Sequence, residues 1–219
     1  MELGFTPATA LVTVILLALA PFVAVMVTSF TKIVVVLSLL RNALGLQQSP
    51  PNVVLNGLAL ILTIYVMYPV GQEMMRVAPE LPAEQSVLED TDALLDYANA
   101  AKEPLRDFLA THADERQRAF FLNTIRRTLS EEDAAAIEAD SFVVIVPAFT
   151  VSELAEAFQI GFLIFLPFLV VDLIVSNILL AMGMMMLSPT MISLPFKLLL
   201  FVVISGWSQL AHNLVLSYG

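Results

Sequence analysis

There is no cysteine in the 219 residues. That excludes a disulfide framework, a thiolate metal site and a thiol nucleophile, and says nothing about compartment. Charge is scarce as well, at 14% of residues against 58% hydrophobic. Soluble domains carry about 25% charged residues, so this is the composition of a membrane protein. Cations are the scarcer sign, with 10 Lys and Arg against 20 Asp and Glu and a net charge of −10. A polyanionic partner such as nucleic acid calls for the opposite balance. The chain also lacks a phosphate-binding P-loop, an HExxH zinc helix, a G-x-S-x-G elbow and a dinucleotide fingerprint. Of its two histidines, His112 reads as a surface residue and His212 has no partner in sequence. An intramembrane aspartyl mechanism would need two aspartates in apolar helices, and only Asp172 is so placed. The expectation is a protein without catalysis, metal or cofactor.

What is present is unevenly arranged. Between Glu73 and Asp140 stand 16 acidic and 7 basic residues. The flanking arms hold only Glu2, Glu153, Glu156 and Asp172 against Lys32, Arg41 and Lys197. This predicts an all-α architecture in three parts: a first apolar helical hairpin over 1–72, an acidic helical insert over 73–140, and a second apolar hairpin over 141–219. The charge-free run from Leu3 to Thr31 would reach about 43 Å as one helix, more than the ~30 Å of a bilayer core. Pro21 is expected to kink or interrupt it. Glu2 stands where a secretory signal would carry basic residues. The turn "LQQSPPN" closes the first hairpin, with Lys32 and Arg41 assigned to its closed end. The positive-inside rule then turns that end to the cytoplasm and the insert to the other side.

In the insert, "LLDYANAAKEPLRDFLATHADERQRAFFLNTIRR" spaces its apolar residues by three and four, as helices do. Pro104 is read as a helix's first turn, and "SEED" at Ser130 as an N-cap followed by acid. Roughly seventy residues with few aromatics make a marginal core, so the insert should pack on its own arms or on a partner. The second hairpin is expected to run over about Ala155–Met182 and Ser193–Leu216, with "GMMMLSPTMISL" at its tip. That tip echoes "GLQQSPPNVVL": in each, a glycine precedes a Ser-Pro step.

Three features in the apolar arms invite a functional reading. Asp172 and Lys197 are costly in a low-dielectric setting unless paired or wet. They lie on opposite arms of one hairpin but not at matching depth, which makes pairing between chains at least as plausible as pairing within the chain. A proton relay through Asp172 is the alternative. Glu153 completes "TVSE", a capping-box pattern at Thr150, and is otherwise a candidate contact with a neighbouring subunit. Met184, Met185 and Met186 cannot share one face of a straight helix, because successive residues point about 100° apart. Methionine is unbranched and repacks readily. If copies of the chain formed a ring, three methionines on a hairpin tip would make a deformable gasket near its axis.

The blocks "TKIVVVLSLLRNALGLQQSPPNVVLNGLAL", "AAKEPLRDFL", "VPAFTVSELAEAFQIGFLIFLPFLVVDL" and "GMMMLSPTMISLPFKLLLFV", in that order, resemble the SctR/FliP family. Its members are export-gate proteins of type III secretion, in virulence injectisomes and flagella. "SNILLAMGMMMLSP" is similar to the injectisome branch. The resemblance implies a pentameric, pore-forming homo-oligomer joined to SctS- and SctT-type proteins beside an SctU-type protein. It implies a place in the bacterial inner membrane among lipid, projecting into the periplasm, where the ring conducts unfolded secreted substrates. It maps the gasket onto Met184, Met185 and Met186, and the intersubunit contacts or ion pair onto Glu153, Asp172 and Lys197. It also implies that the apolar arms stack in a cone lifted largely out of the bilayer. The rival reading is a small-solute or proton-coupled transporter using Asp172.

Overall fold

The computed structural model describes residues 7–77, 91–184 and 186–219, and among these every regular element is a helix. In chain order they are α1 (Pro7–Met26), α2 (Phe30–Ala43), α3 (Asn52–Val77), α4 (Thr91–His112), α5 (Glu115–Thr128), α6 (Glu131–Ala135), α7 (Phe142–Ala181), α8 (Pro189–Val203) and α9 (Gly206–Leu216). Met185 and the insert's segment 78–90 lie outside the described residues.

Helix α2 is the centre. Lys32, Ile33, Val36, Leu37, Leu40 and Ala43 are all buried, at the spacing that covers one side of a helix and more. Leu55 and Ala59 of α3, Ala157 of α7 and Leu214 of α9 close over the first half of it, and Phe168 and Phe201 over the second. The approach of α7 to α2 is tightest at Gly161. A Cβ there would stand 2.2 Å from Leu39 Cδ1 and 3.0 Å from Leu39 Cβ. Only a hydrogen fits.

The echo between the two turns has a structural cause. After α2, Gly45 takes φ +80°, and the amides of Leu46 and Gly45 bond back to the carbonyls of Arg41 and Asn42. After α7, Gly183 takes φ +73°, and the amides of Met184 and Gly183 bond to Leu179 and Leu180. Both are Schellman caps, for which a left-handed glycine is the least costly residue. In each hairpin a Ser-Pro step then leads into the returning helix, and Pro189 occupies the first turn of α8. The two turns are neighbours, since Gly45 faces Thr190.

Several expectations are corrected. The first apolar run continues through Pro21 and breaks after Met26, where Thr31 Oγ1 donates to the Val25 carbonyl. Pro104 lies well inside α4 with its ring buried, so the helix gives up one hydrogen bond and carries on. Thr150 caps nothing: its hydroxyl donates back to Val146 at 2.8 Å, as mid-helix threonines do. Helix α7 starts upstream instead, at Phe142 after Ser141, and absorbs both Pro147 and Pro167. The last arm is two helices bent by 59° at Ile204–Ser205, where Ser205 is left-handed with φ +52°. Ser130 does cap α6, accepting from the Asp133 amide at 3.3 Å.

The insert packs on its own chain. Phe108, Leu109 and Ala113 of α4 and its end meet Ile145, Ala148 and Phe149 of α7. The Asp114 amide donates to Ser152 Oγ at 2.9 Å. Among the described residues, α3 and α7 are each long and apolar enough to cross a membrane, and the bent α8–α9 pair qualifies as one more span. With 40 residues, α7 extends roughly 60 Å, about twice a bilayer core. Hydropathy therefore overstates what a bilayer alone can cover here.

Gly161→Ala is expected to destabilise the fold by about 1–3 kcal/mol through overpacking, and Leu39→Ala in the same chain to restore most of that loss. Thermal unfolding in detergent would measure both. An unchanged Gly161→Ala melting temperature would disprove the close α2–α7 contact.

Candidate functional site

Asp172 and Lys197 meet inside one chain. Lys197 Nζ lies 2.7 Å from Asp172 Oδ2, and Ser193 Oγ donates to Asp172 Oδ1 at 2.5 Å. Ser193 and Lys197 are four apart on α8, so they present both donors to the one carboxylate. The apparent mismatch in depth disappears because α8 begins at Pro189, so Asp172 and Lys197 stand similar distances behind the helix ends that flank the tip. Lys197 Nζ also donates to the Ala43 carbonyl at 3.1 Å. Ala43 ends α2, where unpaired carbonyls and the helix dipole both favour a cation. One ammonium thus joins three helices.

A second pair clamps the other end of α2. Lys32 is 1% exposed, with Nζ 2.5 Å from Glu156 Oε2 and 3.5 Å from Glu153 Oε1. Glu153 is fully buried and accepts a short hydrogen bond from the Tyr218 hydroxyl. The Lys32 ammonium also sits 4.3 Å from the centre of the Tyr218 ring, a cation–π contact. Burial, with the Glu153 carboxylate beside it, pushes the Tyr218 hydroxyl far above its ordinary range, so the phenol remains a donor. Tyr218 in turn stacks on Phe108 and lies 5.1 Å from the ring of His112. His112 is therefore half-buried in an aromatic cluster rather than a surface residue, its Nδ1 2.8 Å from the Phe108 carbonyl.

Sequence reasoning missed this second clamp by spending Lys32 on membrane orientation. Lys32 lies in the first turn of α2, away from the "LQQSPPN" turn, and is consumed by its carboxylates. Arg41 does lie at the turn, donating to Asn52 Oδ1 at 2.6 Å and to the Pro50 carbonyl at 3.3 Å. Neither cation is free to report orientation. The signal was available: Lys32 interrupts an apolar run as Lys197 does, and Glu153 with Glu156 interrupts another.

The tip stands beyond both clamps. Met184 is 40% exposed and Met186 fully exposed. Beneath them an apolar groove of about 520 Å³ runs between α7 and α8, lined by Ile178, Met182, Met184, Leu187, Ile192 and Phe196. Met186 is thus left uncovered by its own chain, while Met184 edges the groove.

The FliP family pattern matches residues 12–214. The chain belongs to the FliP family. It is 51% identical over 204 residues to Yop proteins translocation protein R of Yersinia pestis, covering 93% of each chain. Against the hypersensitivity response secretion protein HrcR of Ralstonia nicotianae it is 47% identical over 212 residues, 96% of this chain and 97% of that one. Against the flagellar biosynthetic protein FliP of Bacillus subtilis it is 42% identical over 202 residues, 92% of this chain and 87% of that one. Identity is lower to this flagellar member than to the two secretion proteins. In this FliP-family chain the matched stretch includes both clamps' charged residues and the whole methionine tip.

Removing one side of the Asp172–Lys197 pair leaves the other charge stranded. Asp172→Leu alone is expected to cost about 3–5 kcal/mol, and Asp172→Leu with Lys197→Leu to recover most of it. Denaturant unfolding in detergent distinguishes the three proteins. A double variant no better than the single would show that the pair is not a closed unit.

Proposed function

We propose that this chain is the pore-forming and gating subunit of a type III protein-export apparatus, with the methionine tips of several copies meeting around the conducted polypeptide. The carrying observation is the position of Met184 and Met186. They lie at the tip of a hairpin whose stems are joined by the Asp172–Lys197 ion pair, with Met186 fully exposed and Met184 40% exposed at the mouth of the apolar groove. A seal for unfolded substrates of arbitrary sequence has to be apolar, adaptable and unselective, which describes thioethers. Met185, outside the described residues, belongs to the same proposal.

Membership of the FliP family makes the chain a component of the secretion export apparatus, and its helices make it a bacterial membrane protein. The finer reading places it in the inner membrane with the insert on the periplasmic side. There it would stand as a pentamer with SctS-, SctT- and SctU-type partners, and Glu153, Asp172 and Lys197 would set the subunit's shape for assembly. It assigns the chain no catalysis. The transporter alternative gains nothing from Asp172, both of whose oxygens are engaged by Ser193 and Lys197.

The absence of cysteine permits a direct test. With Met186→Cys as the sole thiol, any disulfide joins two copies, so mild oxidation of membranes containing the assembled apparatus should yield a covalent dimer. Replacing Met184, Met185 and Met186 by alanine should leave assembly intact and raise resting ion leakage. An assembled complex with no Met186→Cys crosslink and no added leak would sink the gasket.

A further inference from the structure

Among the described residues, helix α5 has no buried position and carries cations without carboxylate partners. Arg116, Phe120, Asn123 and Arg127 follow one another at four, three and four residues, which gathers them on one strip of the helix. All four are exposed, and Phe120 is 60% exposed. Phe120 is nevertheless held in place, its ring edge-on to Phe121 with centroids 5.2 Å apart, and Phe121 packs on the α4–α7 core. Among the described residues Arg116 and Arg127 have no carboxylate within 4 Å, whereas Arg106 pairs with Glu103 and Asp140. A preorganised aromatic flanked by two arginines is the composition of a protein-interface hot spot, not of a merely solvated face.

The complementary charge lies on the same chain. Glu131 and Glu132 of α6 are exposed and unpaired, while Asp133 turns back to Ser130. We infer that the Arg116–Phe120–Asn123–Arg127 strip of one copy docks against Glu131 and Glu132 of the next copy, as a ring of contacts between neighbouring inserts. This rests on the ring reading above and adds to it a second interface, far from the tips.

A lipid surface fits less well. The Asp114 amide bonds to Ser152, and Arg126 at the other end of α5 reaches the Ile137 carbonyl at 2.7 Å. Helix α5 therefore runs alongside the beginning of α7 rather than across it, and a helix parallel to a membrane span cannot lie flat in the headgroup plane. Nucleic acid is opposed by the net charge of −10. A head-to-tail contact of basic strip on acidic face uses each surface once per copy, as a closed ring requires.

The test uses the full chain in membranes, with its partners co-expressed. One tagged copy carries Asn123→Cys, a second carries Glu132→Cys, and a short bis-maleimide is added. A mixed dimer is the expected product. Arg116→Glu with Arg127→Glu in the first copy should lower its yield at least about tenfold, and Glu131→Arg in the second copy should restore it. Failure of the mixed dimer in membranes where Met186→Cys still crosslinks would overturn the docking and leave the ring standing. Failure of both would overturn the ring and the docking with it. Capture of a different protein by Asn123→Cys would also overturn it, by giving the strip another occupant.

Discussion

An ammonium taken out of water has to meet a carboxylate, and in this fold that requirement is satisfied once at each end of α2. Lys32 brings Glu153 and Glu156 of α7 to its first turn, and Lys197 brings Asp172 of α7 to its last. Apolar helices slide over one another with little preference, since one leucine row resembles the next. Buried ion pairs do not tolerate such slippage, because each mismatched register strands a charge at a cost of several kcal/mol. Their net contribution to stability is small, while their contribution to register is large. Between the two clamps, Gly161 lets α7 lie close enough to Leu39 for the apolar surfaces to interlock. The polar clamps set where α7 stands, and the glycine sets how near.

The same α7 explains why the chain is incomplete alone. Phe158, Phe162, Leu163, Leu173 and Ile174 are all more than half exposed along one helix. A bilayer core is about 30 Å thick and the helix about twice that. Lipid therefore covers at most part of this surface, and neighbouring chains are the natural cover for the remainder. Assembly is thus implied by the length of one element against the thickness of its solvent, independently of family.

Helix type and the N-cap at Ser130 were legible in sequence because each is set by local chemistry. So was the echo between the turns, which proves to be one capping motif used twice at Gly45 and Gly183. The failures share a different cause. Thr150 fits a capping pattern and Pro104 a first turn, yet each lies inside a longer helix that continues past it. The Lys32–Glu153–Tyr218 group joins residues more than a hundred positions apart, and nothing local announces such a pairing. The Asp172–Lys197 pair was visible as two costly charges. Its closure within the chain depended on where the tip's helices stop, and boundaries are what sequence reports least well.

Rigidity and adaptability are separated along the second hairpin. Below the tip, Ser193, Lys197 and Asp172 leave the stems no freedom of register. Above it, Gly183 ends α7, Pro189 starts α8, and of the described residues between them Met184, Met186 and Leu187 are exposed. The proposed seal would need both properties, since a loose stem would let the collar drift and a stiff collar would either leak or block. Leucine at the tip would supply the apolar surface, but its branched side chain has fewer shapes to offer a passing chain. Methionine, with three rotatable bonds and a polarizable sulfur, keeps the surface apolar while its shape changes. In the proposed gate the clamped stem would make an adaptable tip usable, by holding it where adaptation is needed.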